Sequence, residues 1–208
     1  MFRNIIKNVS TLVVVGKWNI HIFSPEWVKN NVFGGEDMNV EVALPVGPYQ
    51  FSNEQFKLTV SSNRIHFEML SVNEDTEITV VSVLRTILRL LNQTPVSAFG
   101  FNYVFETDAE LNRYFLDFGE DKEQNNPFEK VTIKREVRWS FIDESEKSMN
   151  VQLHEAPENS FRIVVNCDYP INNCLDIMSY IDDDEIISHK RKECETFITN
   201  KLNINKEN

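Results

Sequence analysis

The hydrophobic pattern changes period several times along this chain, and each change predicts an element. TLVVVGKWNIHIF reads as one long strand, with Trp18, Ile20 and Ile22 on one face and Lys17, Asn19 and His21 on the other. Gly16 within it predicts a bulge. Ser24 then suits an N-cap, Pro25 a first helical position and Gly34 the residue past the end, which predicts a helix over 25–33. MNVEVALP reads as a strand ended by Pro45. FKLTV and RIHFEML alternate as two strands of a hairpin turning at Ser61-Ser62-Asn63.

From 75 to 92 the period lengthens. Thr79, Ser82, Thr86 and Arg89 form one narrow polar stripe, and nearly everything else is Val, Leu or Ile. A helix so apolar is packed on more than one side, which predicts a central helix. SAFGFNYVFE returns to strand period, with Phe99, Phe101, Tyr103 and Phe105 on one face and Ala98, Gly100, Asn102 and Val104 on the other. The small face predicts close packing by the helix of 75–92. Thr107 and Glu110 make a capping-box pattern for a helix ending at Gly119. EDKEQNNP at 120–127 is polar and reads as a connector. Beyond it KVTIKREVRWSFID, MNVQLHE and SFRIVVNCDY predict a β-meander, followed by helices near 172–181 and 184–202.

Strands and helices come in runs, so the expected class is α+β, with about seven mostly antiparallel strands packed by the central helix and the C-terminal helices. Two halves are expected, 1–119 and 128–208, packed as one compact unit; the pattern leaves open whether they share a sheet. No residue-level repeat is present.

Composition sharpens this picture in few places. The chain has 208 residues and a formal net charge of −11, with fifteen Phe. Residues 1–106 hold 8 Lys/Arg against 10 Asp/Glu, and residues 107–208 hold 13 against 22. An acidic second half disfavours phosphate backbones and suits a basic partner. Three cysteines, with no CxxC, fit free thiols in a reducing compartment. The N-terminal apolar run is too short and interrupted for a signal peptide, and no stretch reaches the length of a membrane span. The expected location is the cytoplasm, with no membrane partner.

Candidate chemistry is sparse. SAFGF matches part of the RNA-recognition signature [KR]-G-[FY]-[GA]-[FY], but Ser97 stands at the basic position and Asn102 at the following aliphatic one. Stacking platforms also carry cations, which are missing beside this strand. The aromatics therefore read first as core. Asp117-Phe118-Gly119 spells a kinase metal motif without the loop, lysine or catalytic segment that kinases need. Four scattered histidines show no zinc spacing, and Cys167, Cys174 and Cys194 sit at apolar-facing positions that suit inert core thiols. Asp143, Glu144 and Glu146 read as a solvated turn, and Asp182 to Glu185 as acids opening the last helix. His189-Lys190-Arg191-Lys192 is the one basic cluster, expected to pair locally with Asp184 and Glu185.

The leading functional expectation is a non-catalytic protein-interaction or accessory subunit that requires no cofactor and binds another protein with a basic surface. Self-association remains open. Two alternatives differ in class. One is a nucleic-acid-binding protein using Phe99, Phe101, Tyr103 and Phe105 with Lys190, Arg191 and Lys192; the other is an acidic inhibitor that mimics nucleic acid.

Overall fold

The computed structural model describes residues 1–5, 9–42, 48–71, 73–108, 111, 136–142, 147–156 and 160–205. The expected helix of 107–119, the 120–127 connector, the first part of the 130–143 strand and the turn at 143–146 lie largely or wholly outside these residues.

The fold is α+β: among the described residues ten antiparallel strands form one sheet, with four α-helices. In chain order the elements are β1 (Phe2–Ile5), β2 (Ser10–Gly16), α1 (Pro25–Asn31), β3 (Asn39–Val42), β4 (Tyr49–Ser52), β5 (Phe56–Val60), β6 (Arg64–Met69) and α2 (Glu74–Leu90). There follow β7 (Val96–Thr107), β8 (Glu136–Ile142), β9 (Ser148–Glu155), β10 (Phe161–Tyr169), α3 (Cys174–Tyr180) and α4 (Ile186–Leu202). The sheet order is β3-β4-β5-β6-β2-β7-β10-β9-β8, with β1 also paired to β7. β1 and β4 go beyond the expected strands. Each has four residues, too few for alternation to stand out.

The long strand expected at 11–23 stops at Gly16. Its register against β7 shifts between Val15 and Gly16, where a Cβ would lie 2.7 Å from the Pro95 carbonyl oxygen. Past the bulge, the Lys17 and Trp18 amides donate to the carbonyls of Pro95 and Ser62. Asn19 then caps a short 3-10 turn over Ile20–Ile22, so His21 lies on that turn and not on a strand.

α1 begins where the sequence places it: Ser24 Oγ accepts from the Trp27 amide at 3.2 Å and Pro25 takes the first position. It ends at Asn31, earlier than expected, with Gly34 left-handed beyond it (φ 60°). α2 is capped by Asn73, whose Oδ1 accepts from Thr76 N at 2.7 Å. It buries Val80, Val81, Val83, Leu84, Ile87 and Leu88, while Ser82 and Arg89 face outward. The helix packs on β6 and against α1, α3 and α4. No helix among the described residues is long and apolar enough to cross a membrane.

β7 organises the sheet. Along one edge it pairs first with β2 and then with β1; along the other it pairs with β10. Its aromatic face looks into the core, where Tyr103 Oη donates to the Ile187 carbonyl at 2.7 Å and the Phe99 ring stacks on Tyr180 at 6.4 Å. The helices thus cover the aromatic face, not the small face as the sequence suggested. The small face is needed for a different neighbour: at Gly100 a Cβ would lie 2.7 Å from the Cys167 carbonyl oxygen of β10.

On that second face Asn102, Asn166, Asn150 and Ser140 stand directly opposite one another across β7, β10, β9 and β8. Asn102 Nδ2 donates to the Ser10 carbonyl at 2.7 Å, Asn166 Nδ2 to Asn102 Oδ1 at 2.7 Å, and Ser140 Oγ to Asn150 Oδ1 at 2.7 Å. Only one register satisfies this row. A one-residue slip would turn every member to the other face.

Candidate functional site

Phe99, Phe101, Tyr103 and Phe105 are all buried. The rings form one cluster with their neighbours: Phe99 meets Phe101 edge-on at 5.1 Å and Tyr169 at 5.6 Å, and Phe105 meets Phe2 at 5.6 Å. Burial raises the Tyr103 phenol well above its ordinary value. A base-stacking surface has to face solvent, and these rings face α3 and α4.

The basic run on α4 is dispersed by helical geometry, because consecutive residues point about 100° apart. His189 pairs with Asp183 at 2.6 Å and Glu185 at 3.4 Å. Lys190 bonds Glu193 at 2.7 Å and lies over the Tyr169 ring at 5.8 Å. Arg191 turns inward to Glu77 of α2. Lys192 alone of the three cations is exposed. Asp184, expected to pair along α4, instead meets Arg85 of α2, which also donates to the Ile181 carbonyl.

The three cysteines are buried free thiols. Cys174 Sγ points at the carbonyls of Leu91 and Thr94, at 3.9 and 3.5 Å. Cys167 and Cys194 meet each other, a contact the sequence gave no sign of. Among the described residues, no group of three or more His, Cys, Asp or Glu is placed to hold a metal ion.

An open feature lies at one edge of the sheet. β3 is the last strand in the order, and all four of its residues are exposed. Val40 and Val42 stand opposite Phe51 and Tyr49 of β4, and are 40% and 45% exposed. They thus lie on the core side of the sheet, beyond the reach of the helical layer. Beside them a cavity of about 660 Å³ is lined by Glu36, Asp37, Asn39, Asn53, Glu54 and Gln55. Asp37 pairs with Lys29 at 2.8 Å. Glu41, between the two valines in sequence and opposite Gln50 of β4, stands on the other face of the sheet. The sequence identifies MNVEVALP as a strand, of which Asn39–Val42 are described as β3; that it is an edge follows only from the sheet order.

No protein-family model matches this chain, and no curated sequence matches it.

Proposed function

We propose that this chain is a non-catalytic interaction protein that takes up an extended, basic segment of another protein along β3. The observation that carries this reading is the exposed edge strand itself. An outer strand offers amide and carbonyl groups to an incoming strand, and natural folds usually blunt such edges. Here Val40 and Val42 add apolar surface that a further strand would cover, and Glu36, Glu41 and Glu54 supply negative charge around it. Main-chain pairing gives affinity, alternate side chains give register, and the acids favour lysine or arginine on the incoming segment. The net charge of −11 would speed the encounter.

The test is capture of partners from the source cells after nuclease treatment, with the native chain and a Val40→Lys/Val42→Lys variant in parallel. The reading expects a protein retained by the native chain, released by salt and absent from the variant. Equal retention by both chains, or no protein retained by the native chain once nucleic acid has been digested, would overturn it.

A further inference from the structure

Cys167 on β10 and Cys194 on α4 hold their sulfurs 3.8 Å apart. They are 27 residues apart in sequence, so the contact is made by the packing of α4 on the sheet. Cys194 is wholly buried, whereas Cys167 lines a cavity of about 370 Å³ between the end of β8, β9, β10 and α4. Phe141, Met149, Tyr169 and Phe197 form its apolar wall, and Lys190 brings a cation to it. A small uncharged molecule entering this cavity would meet Cys167 and not Cys194.

We propose that Cys167 and Cys194 form a peroxide-reactive dithiol, in which Cys167 takes up an oxygen from a small hydroperoxide entering the cavity and Cys194 resolves it to a disulfide. In the first step the Cys167 thiolate attacks the terminal peroxide oxygen. The O–O bond breaks, the leaving oxygen takes a proton as alcohol or water, and the cysteine becomes a sulfenic acid. In the second step Cys194 loses its proton and attacks the Cys167 sulfur. The S–O bond breaks, hydroxide leaves and is protonated to water, and the S–S bond forms. Two thiols are oxidised by two electrons in total, and one peroxide is reduced by two.

The surroundings assign the two roles. The contact with Cys194, helped by the charge of Lys190, holds the Cys167 thiol below its ordinary value against burial and the charges of Glu193 and Asp168. The same contact pushes Cys194 up, with burial adding to it. The thiolate is the nucleophile; Cys167 lines the cavity while Cys194 is closed off from it, so Cys167 reacts first. Burial raises Cys174, and its sulfur is directed at backbone carbonyls. Closing the bond brings the sulfurs from 3.8 Å to about 2 Å and fastens α4 to β10.

The full chain, fully reduced, is treated with hydrogen peroxide, quenched, alkylated and mapped by mass spectrometry. Cys167 and Cys194 are expected to lose alkylation together and to appear as one intramolecular cross-linked peptide pair, while Cys174 remains alkylated. In Cys194→Ser, Cys167 is expected to accumulate a sulfenic acid that dimedone traps. Parallel oxidation of all three cysteines would overturn the proposal, as would oxidation of Cys174 first or cross-links only between chains. So would formation of the same pair at an equal rate in denaturant. The native-chain arm requires no substitution and decides the matter even if a serine variant fails to fold.

Discussion

Arg191 of α4 and Glu77 of α2 form an ion pair that is nearly closed off from water, with side chains 14% and 1% exposed. Glu77 lies in the first turn of its helix, where the exposed amides also favour a carboxylate. A buried pair of this kind gains little over a well-packed apolar contact, but removing one partner strands the other charge. Glu77→Leu alone is therefore expected to cost about 3–5 kcal/mol. Glu77→Leu with Arg191→Met should recover most of that loss. Urea unfolding midpoints of the two single variants and the double variant check this. A double variant as unstable as the worse single one would show that the pair does more than neutralise itself.

Phe99→Ala and Phe101→Ala are each expected to cost about 3–5 kcal/mol, because each empties a ring-sized space in a packed interior. The rings touch at 5.1 Å, so the double change should cost less than the sum. Thermal unfolding reads both effects. A variant that keeps the native melting temperature would mean that the ring contributes little to the core.

The aromatic strand was legible because large side chains alternated strictly over eight residues. Its packing partner was not. Both faces looked coverable, and only the tertiary contacts of Tyr103 with Ile187 and Phe99 with Tyr180 show that helices take the aromatic face, while the Cys167 carbonyl lies close to Gly100. The same limit applies elsewhere. The Ser24 cap acts within a few residues and can be read from spacing, as can the outward stripe of α2. The Asn102–Asn166–Asn150–Ser140 row, the Cys167–Cys194 contact and the exposed position of β3 join residues far apart in sequence. They depend on register and strand order, which local periodicity does not contain. The basic run illustrates the converse: four neighbours in sequence look like one patch, and the helix sends them to different partners.

Gly100→Ala tests the close approach of β7 to β10. In an ordinary mid-strand site, Ala replacing Gly removes backbone entropy from the unfolded chain and stabilises. Here the added methyl would lie 2.7 Å from the Cys167 carbonyl oxygen and 2.9 Å from Asp168 Oδ1. Asp168 can turn aside, but the carbonyl belongs to the backbone of the paired strand. The expected outcome is a loss of about 1–3 kcal/mol, read as a lower urea midpoint. A gain in stability would mean that the two strands can separate without cost.

His66 makes the fold sensitive to acid. Its imidazole sits on β6 beside Arg64, Lys57 and Glu68, and opposite Thr59 and Val13 on the neighbouring strands. Burial, and then the charge of Arg64, lower its pKa from the ordinary 6.5, with Glu68 opposing and Lys57 adding a little. The unfolded chain therefore binds this proton more readily than the folded one. The stability that comes from keeping the ring neutral is fully present above pH 6.5 and is lost as the pH falls through the lowered folded value. His66→Gln removes the titration and keeps a polar side chain on that face. The native chain should therefore lose stability more steeply than the variant as the pH falls below 6.5, while the two run parallel above it. Urea midpoints across that interval measure the difference. Parallel curves on both sides would mean that Glu68 draws the proton to His66 in the folded state as strongly as water does in the unfolded one.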